Sequence, residues 1–201
     1  MADADDVRVV ALRSELVPAA ALMLARAFVT NPLHVAAFGP ARLDRNDAFF
    51  RAGLAMMKGP TFVATDGAQP LGLVHWARSP QCQLSGLAKL QIMPVMVGAF
   101  GLVSALKVGS WLSAWSTHDP REPHVHLGPI GVAPEAQRRG VGQRLMEQYC
   151  GAIDLTGDAG YLETDRPENV RFYERFGFTI ADEISVLGVP NVLMRRRPAA
   201  R

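Results

Sequence analysis

Three groups of residues in this chain have the types and spacing that chemistry requires. The first is Gln137-Arg-Arg-Gly-Val-Gly142, placed where a strand pattern gives way to a helix pattern. The opening turn of a helix leaves backbone N–H groups without intrahelical partners, and the helix dipole adds roughly half a positive charge there. Gly140 and Gly142 let a ligand approach that backbone, and Arg138, Arg139 and Arg144 bring charge close by in sequence. Together these describe a diphosphate cradle. The P-loop string Gly-x4-Gly-Lys-Ser/Thr does not occur, and Gly140-Val-Gly-Gln-Arg-Leu145 lacks the third glycine of the dinucleotide fingerprint. The second group is Asn169 and Tyr173, four apart and therefore on one helix face. Tyr173 reads either as a proton donor or as a packing aromatic beside Phe172 and Phe176. The third is Glu163 and His126, a carboxylate and an imidazole that could each accept a proton. His124 shares a strand face with His126, whereas His75 reads as a structural histidine.

The elements that position these groups follow from periodicity. Val7–Leu12 reads as a strand, and Ser14-Glu15 opens an apolar helix that stops at Asn31-Pro32. Asp44, with Asp47 three positions on, reads as the N-cap of a second helix ending near Lys58-Gly59-Pro60. Thr61–Thr65 and Leu71–Ala77 flank Asp66-Gly67, a hairpin signal. The apolar segment 84–119 is mostly helical and lines a pocket or an interface. Strands follow at Val125–Val132, Tyr161–Thr164, Phe178–Val186 and Val192–Arg195. Helices run over Gly140–Ile153 and Glu168–Phe176, the second closed by Gly177 in the left-handed region. Val141, Leu145, Tyr149 and Ile153 give the first of these helices one apolar face. Glu163 alternates onto the face of Tyr161 and Asp165, opposite Leu162 and Thr164.

Composition narrows the classes. A chain of 201 residues, 49% apolar and 20% charged, suits one α/β domain over 1–201 with a sizeable core. A net charge of +2 is too small for a nucleic-acid backbone partner, and the Arg195-Arg-Arg197 tail lacks interleaved aromatics. Cys82 and Cys150 lie 68 positions apart, with neither metal-ligand spacing nor a disulfide framework, so no metal is expected and a reducing, cytoplasmic compartment is. The acidic start at 1–6 is unlike a secretory signal. Residues 90–106 carry no charge but are closed by Lys89 and Lys107 and interrupted by Pro94, Gly98 and Gly101, so a buried helical segment fits better than a membrane span of ~20 residues.

Gln137-Arg-Arg-Gly-Val-Gly142, after a strand ending Ile130-Gly-Val132, resembles the pyrophosphate motif of the GCN5-related N-acetyltransferases. Asn169-Val-Arg-Phe-Tyr-Glu-Arg-Phe-Gly-Phe178 is similar to the same family's second signature. Leu162-Glu-Thr164, Phe172-Tyr-Glu-Arg175 and Glu122-Pro123 resemble the puromycin N-acetyltransferase-like members. The resemblance implies a mixed, mostly antiparallel sheet of six to seven strands flanked by helices, with a V-shaped splay at strand 124–132 and a coenzyme-binding half at 121–197. It implies acetyl-CoA bound by Arg138, Arg139, Gly140, Val141, Gly142 and Gln143, with the pantetheine arm along Ile130, Gly131 and Val132 and on Asn169. It puts Tyr173 beside the coenzyme sulfur as donor to the thiolate, an oxyanion-holding N–H near Val132, and Glu163 or His126 as base. The arylalkylamine members carry two histidines on this strand; His126 matches one and Gly128 stands at the other. Gly128-Pro129 is consistent with a splay or with a strand that ends early, since proline cannot donate to a ladder. The expected activity is direct acetyl transfer to a primary amine of a small molecule. The alternatives are a protein amino group as acceptor, or a non-catalytic acyl-CoA-binding regulator. No membrane partner is expected, and the chain acts as a monomer or homodimer.

Overall fold

Asp66-Gly67 turns the chain between β2 (Thr61–Thr65) and β3 (Pro70–Arg78), and antiparallel pairing spreads outward from that hairpin. The structure is a computed structural model and describes residues 7–67, 69–83 and 86–198. The acidic start at 1–6, and the first two residues of the apolar segment predicted over 84–119, lie outside the described residues. With β1 (Arg8–Ala11), β4 (His124–Val132), β5 (Ala159–Thr164), β6 (Thr179–Val186) and β7 (Val189–Arg196), the described residues form a sheet of seven strands in the order β1-β2-β3-β4-β5-β7-β6. Every pairing is antiparallel except β4 with β5. That exception is brief. His124, Val125 and His126 pair with Ala159, Gly160 and Tyr161, after which β4 continues along β3 to Val132 while β5 continues along β7 to Thr164.

The parting has a local cause. Val74 pairs with Ile130 and Trp76 with Leu127, so His75 alone faces Gly128 and Pro129 across a bulge. A Cβ on Gly128 would stand 2.8 Å from the His75 ring, so glycine is required there. The Gly-Pro pair therefore bends a strand that runs on; it does not end it.

Two helices clamp the two faces of this strand. α1 (Val17–Phe28) packs so closely on one face that a Cβ on Gly131 would lie 2.6 Å from Leu24. On the other face, α6 (Val141–Thr156) buries Val141, Leu145, Tyr149 and Ile153, the predicted stripe. Burying each of these side chains contributes roughly 1.5–3 kcal/mol. The Tyr149 hydroxyl donates to the Val125 carbonyl at 2.8 Å and fixes α6 against β4 just before the fork.

Elsewhere the chain departs from its sequence pattern. α3 (Leu43–Met56) has Arg42, not Asp44, as its N-cap; Asp44 sits in the first turn and is held by the Arg42 guanidinium at 2.6 and 2.9 Å, while Asp47 takes Arg51. An unpredicted helix, α2 (Pro32–Phe38), follows Asn31, whose side chain accepts from the N–H groups of Leu33 and His34. Asp165, at the end of β5, accepts from Asn31 Nδ2 and the Leu33 N–H, both at 2.7 Å, and latches α2 to that strand. The apolar segment is two helices, α4 (Gly86–Phe100) and α5 (Leu102–His118), broken at Gly101 with φ +81°. Much of its stripe is core. Met96, Phe100, Ala105, Val108 and Trp111 pack with Leu33, Ala37 and Phe38 into a second cluster, leaving Leu90, Val95, Val103 and Leu106 exposed. Among the described residues no single helix is long and apolar enough to cross a membrane.

His34 joins the two cores. It stacks on Phe50, meets Phe28, Phe38, Phe49 and Trp111, and bonds Asn46 through Nδ1 at 2.7 Å. Burial lowers it to about 4, so the folded chain holds it neutral. Below the ordinary value of 6.5 the unfolded chain takes up a proton that the folded chain refuses, and stability falls as pH drops from 6.5 towards 4. Urea unfolding near neutrality and again at about pH 4.5 should show an acid loss about 2–3 kcal/mol larger in the native chain than in His34→Gln. Equal losses would mean that the ring is charged inside the fold.

Candidate active site

The cradle is built by backbone conformation. After β4 the chain makes a 3-10 turn over Pro134–Ala136, then passes Arg138 at φ +61° and Gly140 at φ +79° into α6. Gly140, the N-cap, makes no side-chain bond, and the first main-chain bond of the helix runs from the Arg144 N–H to the Gly140 carbonyl. The N–H groups of Val141, Gly142 and Gln143 therefore face outward from the dipole's positive end, an anion-binding arrangement. A left-handed residue with a side chain costs about 1 kcal/mol, and Arg138 bears that strain at the mouth of the site. A Cβ on Gly142 would meet Phe172 and Val132 at an ordinary 3.6 Å. Protein packing does not demand that glycine, and the space over the first turn remains open. Gln137 donates to the Val132 carbonyl at 3.3 Å, while Arg144 reaches the Val7 carbonyl just before β1.

Among the described residues the edge of β4 that faces β5 has no strand partner beyond His126, so the main chain of Ile130, Gly131 and Val132 borders a fork. α7 (Pro167–Glu174) carries Asn169 and Tyr173 past the β5 limb, and its Phe172 stands across from Gly142. Gly177 closes the turn after α7 at φ +82°, as predicted. Tyr173 is buried between Phe172 and Phe178, and its hydroxyl makes no hydrogen bond among the described residues. Burial, reinforced by Asp165, raises the phenol above its usual value and keeps it protonated.

The two candidate bases are one pair. His126 Nε2 lies 2.7 Å from Glu163 Oε2, at the point where β4 and β5 part, and the Glu163 side chain is only 2% exposed. Tyr161 packs edge-on to both His124 and His126 on the same face. Two further residues join them. Asp119 Oδ1, just past α5, lies 3.2 Å from His124 Nε2 and 3.4 Å from His126 Nδ1, and Cys82 Sγ, on the loop after β3, is 3.9 Å from both Asp119 Oδ2 and His124 Nε2. Burial pushes His126 down, but the charge of Glu163 and the Asp119 contact outweigh it and carry it well above 6.5. His124 likewise rises to about 9 against burial, through Asp119, and Asp119 in turn is held well below the usual carboxylate range by both histidines. A protonated His126 is a donor that holds Glu163 Oε2, and the buried Oε1 has no hydrogen-bond partner among the described residues. His75 bonds the Thr61 hydroxyl at 2.8 Å and is lowered to about 4 by burial, consistent with a structural histidine. Asp119 was legible only as a helix stop and Cys82 only as an isolated thiol; their sole sequence signal is the His-x-His spacing they gather around.

Residues 103–180 match the acetyltransferase (GNAT) domain family. The fold is similar to a Corynebacterium glutamicum structure described as histone acetyltransferase HPA2 and related acetyltransferase, with a TM-score of 0.73, 22% identity and 97% and 98% of the two chains covered. It is also similar to arylalkylamine N-acetyltransferase 2 from Aedes aegypti, with TM-score 0.68, 13% identity and 95% and 98% coverage. A third likeness is to a polyamine N-acetyltransferase from Drosophila melanogaster, with TM-score 0.67, 15% identity and 95% and 99% coverage.

The two cradle glycines should separate by chemical denaturation. Gly140→Ala should cost about 1–2 kcal/mol, because φ +79° is disfavoured for any side chain. Gly142→Ala should be neutral or slightly stabilising, since its new Cβ meets only ordinary contacts. Equal destabilisation by both would show that Gly142 serves packing.

Proposed function

We propose that the GNAT acetyltransferase domain carried by this chain moves an acetyl group from acetyl-CoA directly to a primary amine of a small molecule. The observation that carries this reading is the fork. The β4 edge left unpaired by β5 ends beside the N-terminus of α6, and α7, which carries the buried Tyr173, brings Phe172 across from that helix start. The N–H groups of Val141, Gly142 and Gln143, with Arg138 and Arg139 near them, hold the pyrophosphate. The main chain of Ile130, Gly131 and Val132 pairs with the pantetheine amides, aided by the Asn169 side chain. An N–H near Val132 steadies the oxyanion.

Glu163 takes the proton of the attacking amine at Oε1, and His126 holds Oε2 so that the free oxygen keeps its aim. The amine nitrogen then bonds the acetyl carbon, the C–S bond breaks, and Tyr173 supplies a proton to the departing sulfur. His126 thereby becomes a positioning residue, because a protonated ring cannot be the acceptor.

The proposed unit is a single domain over 1–201 with its coenzyme-binding half at 121–197, working in the cytoplasm as a monomer or homodimer. The motif likeness to puromycin N-acetyltransferase-like members puts puromycin in the test panel.

Thiol release from acetyl-CoA, followed over an amine panel and a lysine peptide, tests this. Turnover with a small amine supports it; turnover with the peptide alone makes the acceptor a protein, and coenzyme binding without any turnover makes the chain a regulator. Tyr173→Phe should lower kcat about a hundredfold or more with acetyl-CoA affinity unchanged. Unchanged kcat removes Tyr173 from the mechanism.

A further inference from the structure

We propose that Cys82, Asp119, His124 and His126 bind one divalent transition-metal ion of the zinc class. Three separate parts of the fold bring these residues together: the loop after β3, the end of α5 and the first turns of β4. One donor atom from each, the thiol sulfur, a carboxylate oxygen and a ring nitrogen of each histidine, all fall within 4.8 Å of one another. Bonds of about 2.0–2.3 Å in a tetrahedral zinc site would separate such atoms by about 3.3–3.8 Å. The closest approaches here, 3.2, 3.4 and 3.9 Å, span that range.

The atoms are not aimed at one another. Asp119 Oδ1 and His126 Nδ1 are buried and neither makes a hydrogen bond, although they stand 3.4 Å apart. In a simple ion pair the imidazolium N–H would point at the carboxylate, and leaving both unpaired is costly. A cation at their common centre satisfies both. The outer nitrogens are already committed: His124 Nδ1 donates to the Glu122 carbonyl at 2.9 Å, and His126 Nε2 donates to Glu163 at 2.7 Å. That leaves His124 Nε2 and His126 Nδ1 as lone-pair donors toward the centre, each ring steadied from behind by the carbonyl or carboxylate partner that ligating histidines use.

The donor set selects the ion. One thiolate and two imidazoles exclude the oxygen-seeking magnesium and calcium, and thiolate plus carboxylate neutralise a double positive charge. Coordination releases three protons to solvent along the half-buried thiol, one from Cys82 Sγ, one from His124 Nε2 and one from His126 Nδ1, while His126 Nε2 keeps the N–H that holds Glu163. The ion would pin the start of β4 to two other segments just before the fork and fix the tautomer of His126, which in turn holds Glu163. This goes beyond the acetyl-transfer reading and does not depend on it.

The full chain, stripped with a chelator and dialysed, is titrated with Zn²⁺ or Co²⁺ alone, without acetyl-CoA. One equivalent should bind. Co²⁺ should show the intense visible bands of a four-coordinate site and a thiolate charge-transfer band, and a hundredfold excess of Zn²⁺ over Kd should raise Tm by about 5–10 °C. Cys82→Ser should abolish the charge-transfer band while circular dichroism shows a folded chain. Glu163→Gln, outside the ligand set, should weaken Zn²⁺ binding about tenfold or more. Failure of the native chain to bind an equivalent overturns the proposal. So does an unchanged cobalt spectrum in Cys82→Ser, a conservative variant that stays readable even if His124→Ala does not fold.

Discussion

Everything at the site depends on a pairing that stops after three residues. Parallel strands inside a sheet normally continue until one of them ends, because an unpaired buried edge leaves backbone groups unsatisfied. Here both strands continue, and each keeps its other neighbour to its last residue. The bulge at Gly128-Pro129 supplies the bend, and the contact of His75 on Gly128 keeps any side chain out of it. The Tyr149 hydroxyl on the Val125 carbonyl and the Leu24 contact on Gly131 hold the bent strand from both faces. What is left is a rigid edge of main chain whose hydrogen-bonding capacity is available to an extended ligand.

The fork also concentrates charge. His126 is the last residue of β4 paired with β5, and Glu163 is the second residue of β5 after its last partner of β4, so their 2.7 Å contact bridges the two limbs where they separate. Burial alone would expel charge from that place. The carboxylates of Glu163 and Asp119 reverse the balance for His126, which places a charged donor beside Glu163 at the fork. Position on the sheet and protonation state thus have the same origin.

Much of this was legible from residue types. The hairpin, the α6 stripe, the glycines at the helix start and the shared face of His124 and His126 follow from periods of two and 3.6 and from backbone freedom. Boundaries set by local competition were not. Arg42 binds Asp44 and displaces it from the cap, and the seven residues of α2 are too few to show a period, although Asn31-Pro32 marks its start. The Cys82 and Asp119 contribution was illegible because their meeting depends on how two loops close over the start of β4. The long apolar stretch was ambiguous for a related reason: a stripe that fills a second core and one that lines a pocket have the same pattern, and only the packing around Trp111 and Phe100 separates them.

The latch at Asp165 gives that second core a mechanical link to the chemistry. Its carboxylate holds both Asn31 and the Leu33 amide, so the start of α2 and the tip of the strand bearing Glu163 travel as one body. Any guest that wedges α2 outward must drag that tip with it and alter the opening of the V. Under the proposed acetyl transfer, room for the amine would be geared to the grip on the coenzyme, with a single aspartate as the axle.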